Sequence, residues 1–213
     1  MGAREYGQFD GITRAVELIG ERWALLIVRD LLVGPRRYGE LAAGLPRIPS
    51  NILATRLKEL QAAGVIRRAP RSRVIIYELT PYGRELEPVV LSLGAWGFKA
   101  IGDPRDEQII TPDAMTITLR SAFRESVAMC LPATAYATRL GSTELLIRVD
   151  GATLDVARGE GPVDLAFSAG PSIHRLLSGR LAPDHAIASG EVEVLRGRSE
   201  LLGRFVRTFH LAA

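Results

Sequence analysis

The sequence of 213 residues contains a single cysteine, Cys130, so a disulfide bond within the chain is excluded. It has no uncharged apolar run of about 18 residues, which a membrane-spanning helix would need. Its first residues, MGAREYGQFDG, lack the apolar stretch of a signal peptide. These absences predict a cytoplasmic protein without a membrane partner.

Residue groups that carry catalysis or hold metals are also missing. The histidines His174, His185 and His210 lack the spacing of metal ligands, and no cysteine or carboxylate cluster accompanies them. No glycine loop for phosphate is present, and Ser168 and Ser189 stand outside any nucleophile-elbow sequence. We therefore expect neither an enzyme nor a bound metal or cofactor.

The hydrophobic content of 47% can support real cores, and the length suits one large or two small domains. The mostly polar run DPRDEQII at residues 103–110 contains a proline and precedes a change in sequence texture. The sequence thus predicts a first domain over residues 1–102, a linker over 103–110 and a second domain over 111–213.

Charge is concentrated in one part of the chain. Between Gly34 and Arg73 there are nine basic and two acidic residues, a net charge of +7. Residues 101–213 have 12 arginines, no lysine and 14 acidic residues, a net charge of −2. A basic block followed by a slightly acidic half is typical of a nucleic-acid reader joined to another module. A merely solvated basic face is the alternative.

Four helices are predicted in the first domain from the spacing of its apolar residues. Two opening helices end at Gly20 and at Gly34–Pro35, and a third spans about residues 38–43. The fourth follows Pro49, with Ser50 as its expected N-cap. Three leucines at i, i+4 and i+7 give the fourth helix one buried stripe, and they are Leu53, Leu57 and Leu60.

Two runs rich in β-forming residues follow, and Pro70 and Ser72 between them mark a turn. Arg71 and Arg73 are expected at or near the tip of this hairpin. A further helix is predicted from Arg84 to about residue 101. Packing against a second copy of the chain is the simplest explanation for its apolar face, and packing inside the chain is the alternative; the residues are Leu86, Val89, Val90, Leu93 and Trp96.

The third helix, a turn with Gly44 and Pro46, and the fourth helix make a helix-turn-helix with a basic wing. A helix of this size fits the DNA major groove, and the hairpin can reach the phosphates or the minor groove. The sequence leaves open which side chains touch bases. The expected DNA-binding residues are Arg36, Arg37, Ser50, Asn51, Thr55, Arg56, Lys58, Arg71, Ser72 and Arg73.

A family resemblance extends over about residues 6–100. The segments GERW, RDLLVGPRRYGEL, NILATRLKEL and YELTPYG occur in order and at the right spacing. They closely resemble the HxlR-type winged-helix transcriptional regulators. The resemblance implies a homodimer formed by the first helix and the helix after the wing, with base contacts from the helix near Ser50 and backbone contacts from the wing.

One feature of that family is absent. Many of its members carry a cysteine shortly before the first helix, and some use it to sense oxidants or aldehydes. Here the region reads EYGQFDG, without a cysteine. Thiol sensing therefore does not carry over to this chain.

The second domain is predicted to be α+β with a mostly antiparallel sheet. MTITLRSAF either alternates as a strand or begins a helix. Three strands are expected in ELLIRVD, ATLDVARG and VDLAFSAG, with Asp150–Gly151 as a hairpin turn. A helix is expected in SIHRLLSGRL, a strand in IASGEVEVLRG and a closing helix in ELLGRFVRTFHL.

The segment SAGPSIHRLLSGRLAPDHAIASGEVEVLRG, with the closing helix, resembles the sterol-carrier-protein-like fold over about residues 110–213. That fold holds lipid-like ligands in an apolar tunnel, so the resemblance implies a partner that is a small apolar or amphipathic molecule. A packed core without a cavity is the alternative. The residues expected nearest the pocket are Phe123, Met129, Phe167, Leu176, Leu177, Phe205 and Phe209.

The function predicted from the sequence is a transcriptional regulator that binds palindromic double-stranded DNA as a homodimer. A small apolar ligand in the second domain is expected to control its DNA affinity. The alternative is a carrier of a lipid-like ligand, or a scaffold, whose second domain is not coupled to DNA binding.

Overall fold

The computed structural model describes residues 5–105 and 107–211, and the chain forms two compact units, Met1–Val90 and Leu91–Ala213. The division is earlier than the predicted linker at 103–110, because Phe98 is buried in the core of the second unit. The described residues of 103–110 form no helix or strand. None of the helices described is both long and apolar enough to cross a membrane.

The first unit is a helix-turn-helix followed by a two-stranded wing. Its elements in chain order are α1 (Gly11–Ile19), α2 (Ala24–Val33), α3 (Tyr38–Gly44), α4 (Ser50–Ala62), β1 (Ile66–Arg71), β2 (Val74–Leu79), α5 (Pro81–Arg84) and the start of α6 (Glu87–Phe98). The four predicted helices and the hairpin are therefore confirmed. Asp10 caps α1 by accepting hydrogen bonds from two backbone amides, and Gly20 ends it.

Two details of the first unit correct the prediction for α4 and the wing. Ser50 is the first helical residue of α4, and the N-cap is Pro49, whose side chain makes no capping hydrogen bond. The strand β1 continues through Pro70, which pairs with Ile75, so the turn is shorter than expected. A proline is tolerated there because β1 is the edge strand: β2 lies between it and an isolated bridge at Arg36.

The helix predicted from Arg84 to about residue 101 is interrupted. One short helix ends at Arg84, and α6 begins at Glu87 and ends at Phe98. Pro88 explains the break, because its ring nitrogen cannot donate to the carbonyl four residues earlier.

The second unit is α+β, with a five-stranded sheet in the order β5-β4-β3-β6-β7. All neighbouring strands are antiparallel except the parallel pair β3–β6. After α6 its elements are α7 (Pro112–Ala122), α8 (Glu125–Ala128), β3 (Thr134–Leu140), β4 (Thr143–Asp150), β5 (Thr153–Arg158), β6 (Leu165–Ser168), α9 (Ile173–Leu177), α10 (Pro183–Ala188), β7 (Glu193–Gly197) and α11 (Leu201–Thr208).

Most sequence predictions for this unit are confirmed. A tight turn joins β4 and β5 as predicted, but it consists of Gly151 and Ala152, because Asp150 is the last residue of β4 and pairs with Thr153. The uncertain segment MTITLRSAF is helical through Ala122. Strand β3 was not predicted, because its two alanines and two threonines give only weak hydrophobic alternation. The strand predicted in IASGEVEVLRG begins only at Glu193, since the first residues of that segment end α10. The likeness to a sterol-carrier fold stays a prediction.

Candidate DNA-binding surface

Helix α4 presents two opposite faces. Leu53, Leu57 and Leu60 are buried in the first unit. Successive residues turn by about 100° around a helix, so residues 51, 55 and 58 point away from that leucine stripe. The side chains at these positions, Asn51, Thr55 and Lys58, are exposed. Their hydrogen-bonding groups are of the types that read base edges and bind phosphates.

The turn before α4 fixes its start. The Tyr38 hydroxyl on α3 donates a 2.8 Å hydrogen bond to the backbone carbonyl of Ser50. Gly44 lies against the buried Asp30 of α2, where an added Cβ would be 2.8 Å from a carboxylate oxygen. A Cβ at this position would force Asp30 or the turn to shift, so the glycine allows α2 to pack closely against the end of α3.

Arg56 was predicted to bind DNA, and the structure places it beside the exposed face of α4, in two ion pairs. Its side chain is only 15% exposed and pairs with Glu59 one turn later and with Glu21, 3.0 Å away in the segment before α2. A guanidinium held by two carboxylates on the side of the helix ties α4 to the rest of the unit. It is not part of the exposed face, and its contact with DNA stays a prediction.

The wing ends in a two-residue turn of Ser72 and Arg73. Arg71 pairs with Val74 across the turn, and Ser72 has a φ of 56°, in the left-handed region. Arg71, Ser72 and Arg73 are exposed, so the three residues predicted for the wing tip lie together there. The Arg71 guanidinium is also 3.3 Å from the Glu78 carboxylate of β2.

Arg36 and Arg37 lie at the start of α3. The backbone of Arg36 exchanges two hydrogen bonds with Tyr77, of 2.9 and 2.7 Å, which adds a short third segment to the wing sheet. The Arg37 backbone amide donates to the Glu40 carboxylate, and its side chain is exposed. Arg36 is therefore partly a structural residue, whereas Arg37 is available at the surface.

Further basic residues outside the predicted DNA-binding set are exposed on the first unit. Arg67 and Arg68 were not among the predicted DNA-binding residues; they lie on β1 and are exposed on its two opposite faces. The alternation of side chains between the two faces of a strand would have identified Arg67 and Arg68, if β1 had been predicted to continue through Pro70. Arg47, between α3 and α4, is exposed as well.

The residues predicted to line a ligand pocket lie in the second unit. Phe167, Leu176, Leu177, Phe205 and Phe209 are fully buried in one core cluster, and Phe123 packs against it. Met129 is separate from them, with 59% of its surface exposed.

Aromatic rings fill this core. The Phe205 ring centroid lies 5.3 Å from Tyr136, 5.1 Å from Phe167 and 4.8 Å from Phe209. Burial raises the pKa of Tyr136 to about 12. A polar surface groove of about 360 Å³ lies elsewhere on this unit, lined by Arg139, Ser142, Thr143, Glu144, Gly159 and Glu160. Among the described residues, no group of three or more metal-ligating side chains could hold an ion.

The first half of the chain is similar to known proteins. A family model described as HxlR-like helix-turn-helix matches residues 18–104. The HTH-type transcriptional regulator YvaP of Bacillus subtilis is 39% identical over 94 residues, 43% of this chain and 86% of that protein. Rv3095 of Mycobacterium tuberculosis, also named an HTH-type transcriptional regulator, is 39% identical over 118 residues, 53% of this chain and 69% of that protein.

A solved structure is also similar. Quinone-bound YodB from B. subtilis shares 37% sequence identity and covers 40% of this chain and 93% of its own, with a TM-score of 0.37.

Proposed function

The chain belongs to the HxlR-like helix-turn-helix family of transcriptional regulators, and from that premise we propose that it binds palindromic duplex DNA as a symmetric homodimer. The observation that carries the proposal is the exposed polar face of α4, Asn51, Thr55 and Lys58, opposite a fully buried leucine stripe. A helix anchored on one side and polar on the other can lie in the major groove. The wing tip supplies positive charge for the phosphates.

Selection from a random pool of duplexes by the full-length protein tests this proposal. Two copies of α4 related by a two-fold axis should meet successive major grooves, about 10 base pairs apart. We expect the enriched sequences to contain an imperfect palindrome with that spacing. Enrichment of no sequence, or of an asymmetric site bound by one chain, would contradict a symmetric DNA-binding dimer.

Substitutions on the exposed face of α4 should separate base reading from phosphate binding. Asn51→Ala is expected to change the ranking of selected sites, at a cost of about 1–3 kcal/mol at one base position. Lys58→Ala should weaken binding to all duplexes about equally, because an ammonium bound to a phosphate carries no sequence information. Anisotropy titrations against the selected duplex and its single-base variants measure both effects. If Asn51→Ala lowered the affinity for every duplex equally, Asn51 would not be a residue that reads a base.

Removing the two arginines of the wing tip should weaken DNA binding in general. Arg71→Ala with Arg73→Ala is expected to lower affinity about tenfold for selected and unrelated duplexes and to reduce the salt slope by about 2. The matched control removes two exposed arginines of the second unit, Arg180 and Arg198. A mobility-shift titration at several salt concentrations measures both the affinity and its salt dependence. If the wing variant binds DNA as tightly as the wild type, the wing does not contact DNA.

We propose that a second copy of the chain covers the exposed face of α6. Val89, Leu93 and Trp96 follow one another at i, i+4 and i+7, and all three are exposed, Trp96 to 74%. Val90 and Phe98 occupy the buried side of the same helix. An apolar stripe of this length is costly to leave in water, and packing on a twin subunit explains it. Helix α1 also leaves Ile12 and Val16 exposed.

For the second unit, we propose a structural role in preference to a ligand sensor. Both a sensor and a lipid carrier need space beside the predicted pocket residues, and direct contact between the rings of Phe205, Phe167 and Phe209 argues against such space. A thermal-shift screen of lipids and aromatic metabolites against the full-length protein tests this role. We expect no hit that both stabilises the protein and alters its DNA affinity.

A further inference from the structure

We propose that Glu78 is a positioning residue for DNA binding, which holds the guanidinium groups of Arg67 and Arg71 together on one face of the wing. This inference rests on the proposed function, in which the wing contacts the DNA backbone. It assigns a role to a carboxylate that lies on the wing, opposite the arginines of β1. There, a negative charge would otherwise only oppose the approach of phosphates.

The register of the hairpin places the three side chains on the same face. Arg67 pairs directly with Glu78 across the two strands, and Arg71 lies four residues further along β1, on the same side of the pleat. The Arg67 Nε donates to Glu78 Oε1 at 2.7 Å, and an Arg71 terminal nitrogen donates to Oε2 at 3.3 Å. One carboxylate thus binds both arginines, with one oxygen for each.

Burial differs sharply between the partners. The Glu78 side chain is 9% exposed, whereas those of Arg67 and Arg71 are 64% and 65% exposed. The carboxylate is therefore the fixed point of the cluster, and the two guanidinium groups extend from it toward solvent. Water screens both ion pairs at their exposed guanidinium ends, which limits their contribution to folding stability. A contribution to binding is the better explanation of the arrangement.

The chemistry of the guanidinium group allows both contacts at once. Each arginine has five N–H donors, and Glu78 accepts from one donor of each. The remaining donors are free to bind phosphate oxygens. Long side chains lose rotamer freedom when they are ordered on a partner, and prior pairing with Glu78 reduces that loss. Glu78 therefore raises DNA affinity through the two arginines, although its own charge is negative, like that of the DNA.

The two possible roles of Glu78 predict opposite changes in DNA affinity for the Glu78→Gln variant. Glutamine keeps the shape and can accept from one arginine, but its amide nitrogen faces the other with a second donor. If Glu78 positions the arginines, affinity for the selected duplex falls between about threefold and tenfold. If it only repels phosphates, affinity rises. Anisotropy titration of the full-length protein at fixed salt distinguishes the two.

A second set of variants separates positioning from an effect on the fold. In the Arg67→Ala, Arg71→Ala background the loss caused by Glu78→Gln should disappear, because the groups it positions are gone. Arg67→Lys with Arg71→Lys keeps both charges but loses the planar fork. It should reduce affinity with an unchanged salt slope. Thermal melting confirms that each variant is folded.

The outcomes are distinct. If the wild-type protein selects no duplex, the proposed function fails. If the wild type binds and Glu78→Gln binds equally or more tightly, the positioning role is overturned. A loss that persists without Arg67 and Arg71 also overturns it, since Glu78 would then act through some other part of the unit.

Discussion

Phe205→Ala is expected to lower the free energy of unfolding by about 3–5 kcal/mol, the usual cost of removing a buried aromatic ring. Phe205 is fully buried, and its ring lies among those of Tyr136, Phe167 and Phe209, all within 5.3 Å between centroids. The substitution removes the side chain at the centre of this cluster. Because the surrounding sheet and helices can collapse only in part, a cavity is left.

Chemical denaturation of the full-length protein, followed by circular dichroism, measures this effect. The control is Met129→Ala, in the same unit but 59% exposed, which should change stability by less than about 0.5 kcal/mol. A loss below about 1 kcal/mol for Phe205→Ala would mean that the core is loosely filled. That result would restore the ligand-pocket hypothesis for the second unit.

Leu93→Glu is expected to convert the protein to a monomer and to weaken binding to the selected palindrome by about a hundredfold or more. Leu93 is the middle residue of the exposed stripe of α6, so a carboxylate there would be buried between two subunits without a partner. In a dimer, binding of one subunit to its half-site holds the other subunit at a high effective concentration near the second half-site. A monomer lacks this advantage. The single chain should still fold, since Leu93 is exposed within it.

Analytical ultracentrifugation and a DNA titration at the same protein concentrations test both parts of this prediction. Ile109→Glu is the matched control, because Ile109 is another exposed apolar residue that lies outside α6. It should leave mass and affinity unchanged. If Leu93→Glu remains dimeric and binds the palindrome normally, the dimer interface lies on another surface.

Features that depend on neighbouring residues were determined by the sequence alone. The stripe of Leu53, Leu57 and Leu60 predicts the helix α4 and its buried side, because helical periodicity repeats within the segment itself. The dipeptide Asp150–Gly151 predicts the β4–β5 hairpin, because a two-residue turn needs a residue that accepts a positive φ. Gly151 has a φ of 54°. Order and spacing of the GERW to YELTPYG motifs indicated the family.

Features that depend on distant residues were decided only by the tertiary structure. Arg56 is a basic residue on a helix in the sequence, but the fold brings Glu21 to it from 35 positions away and pairs the two side chains. Arg67 and Arg71 join at Glu78 only through the strand register. The aromatic residues that suggested a pocket are packed together in one core. Charge pairing and packing are set by which surfaces meet, and a local pattern does not contain that information.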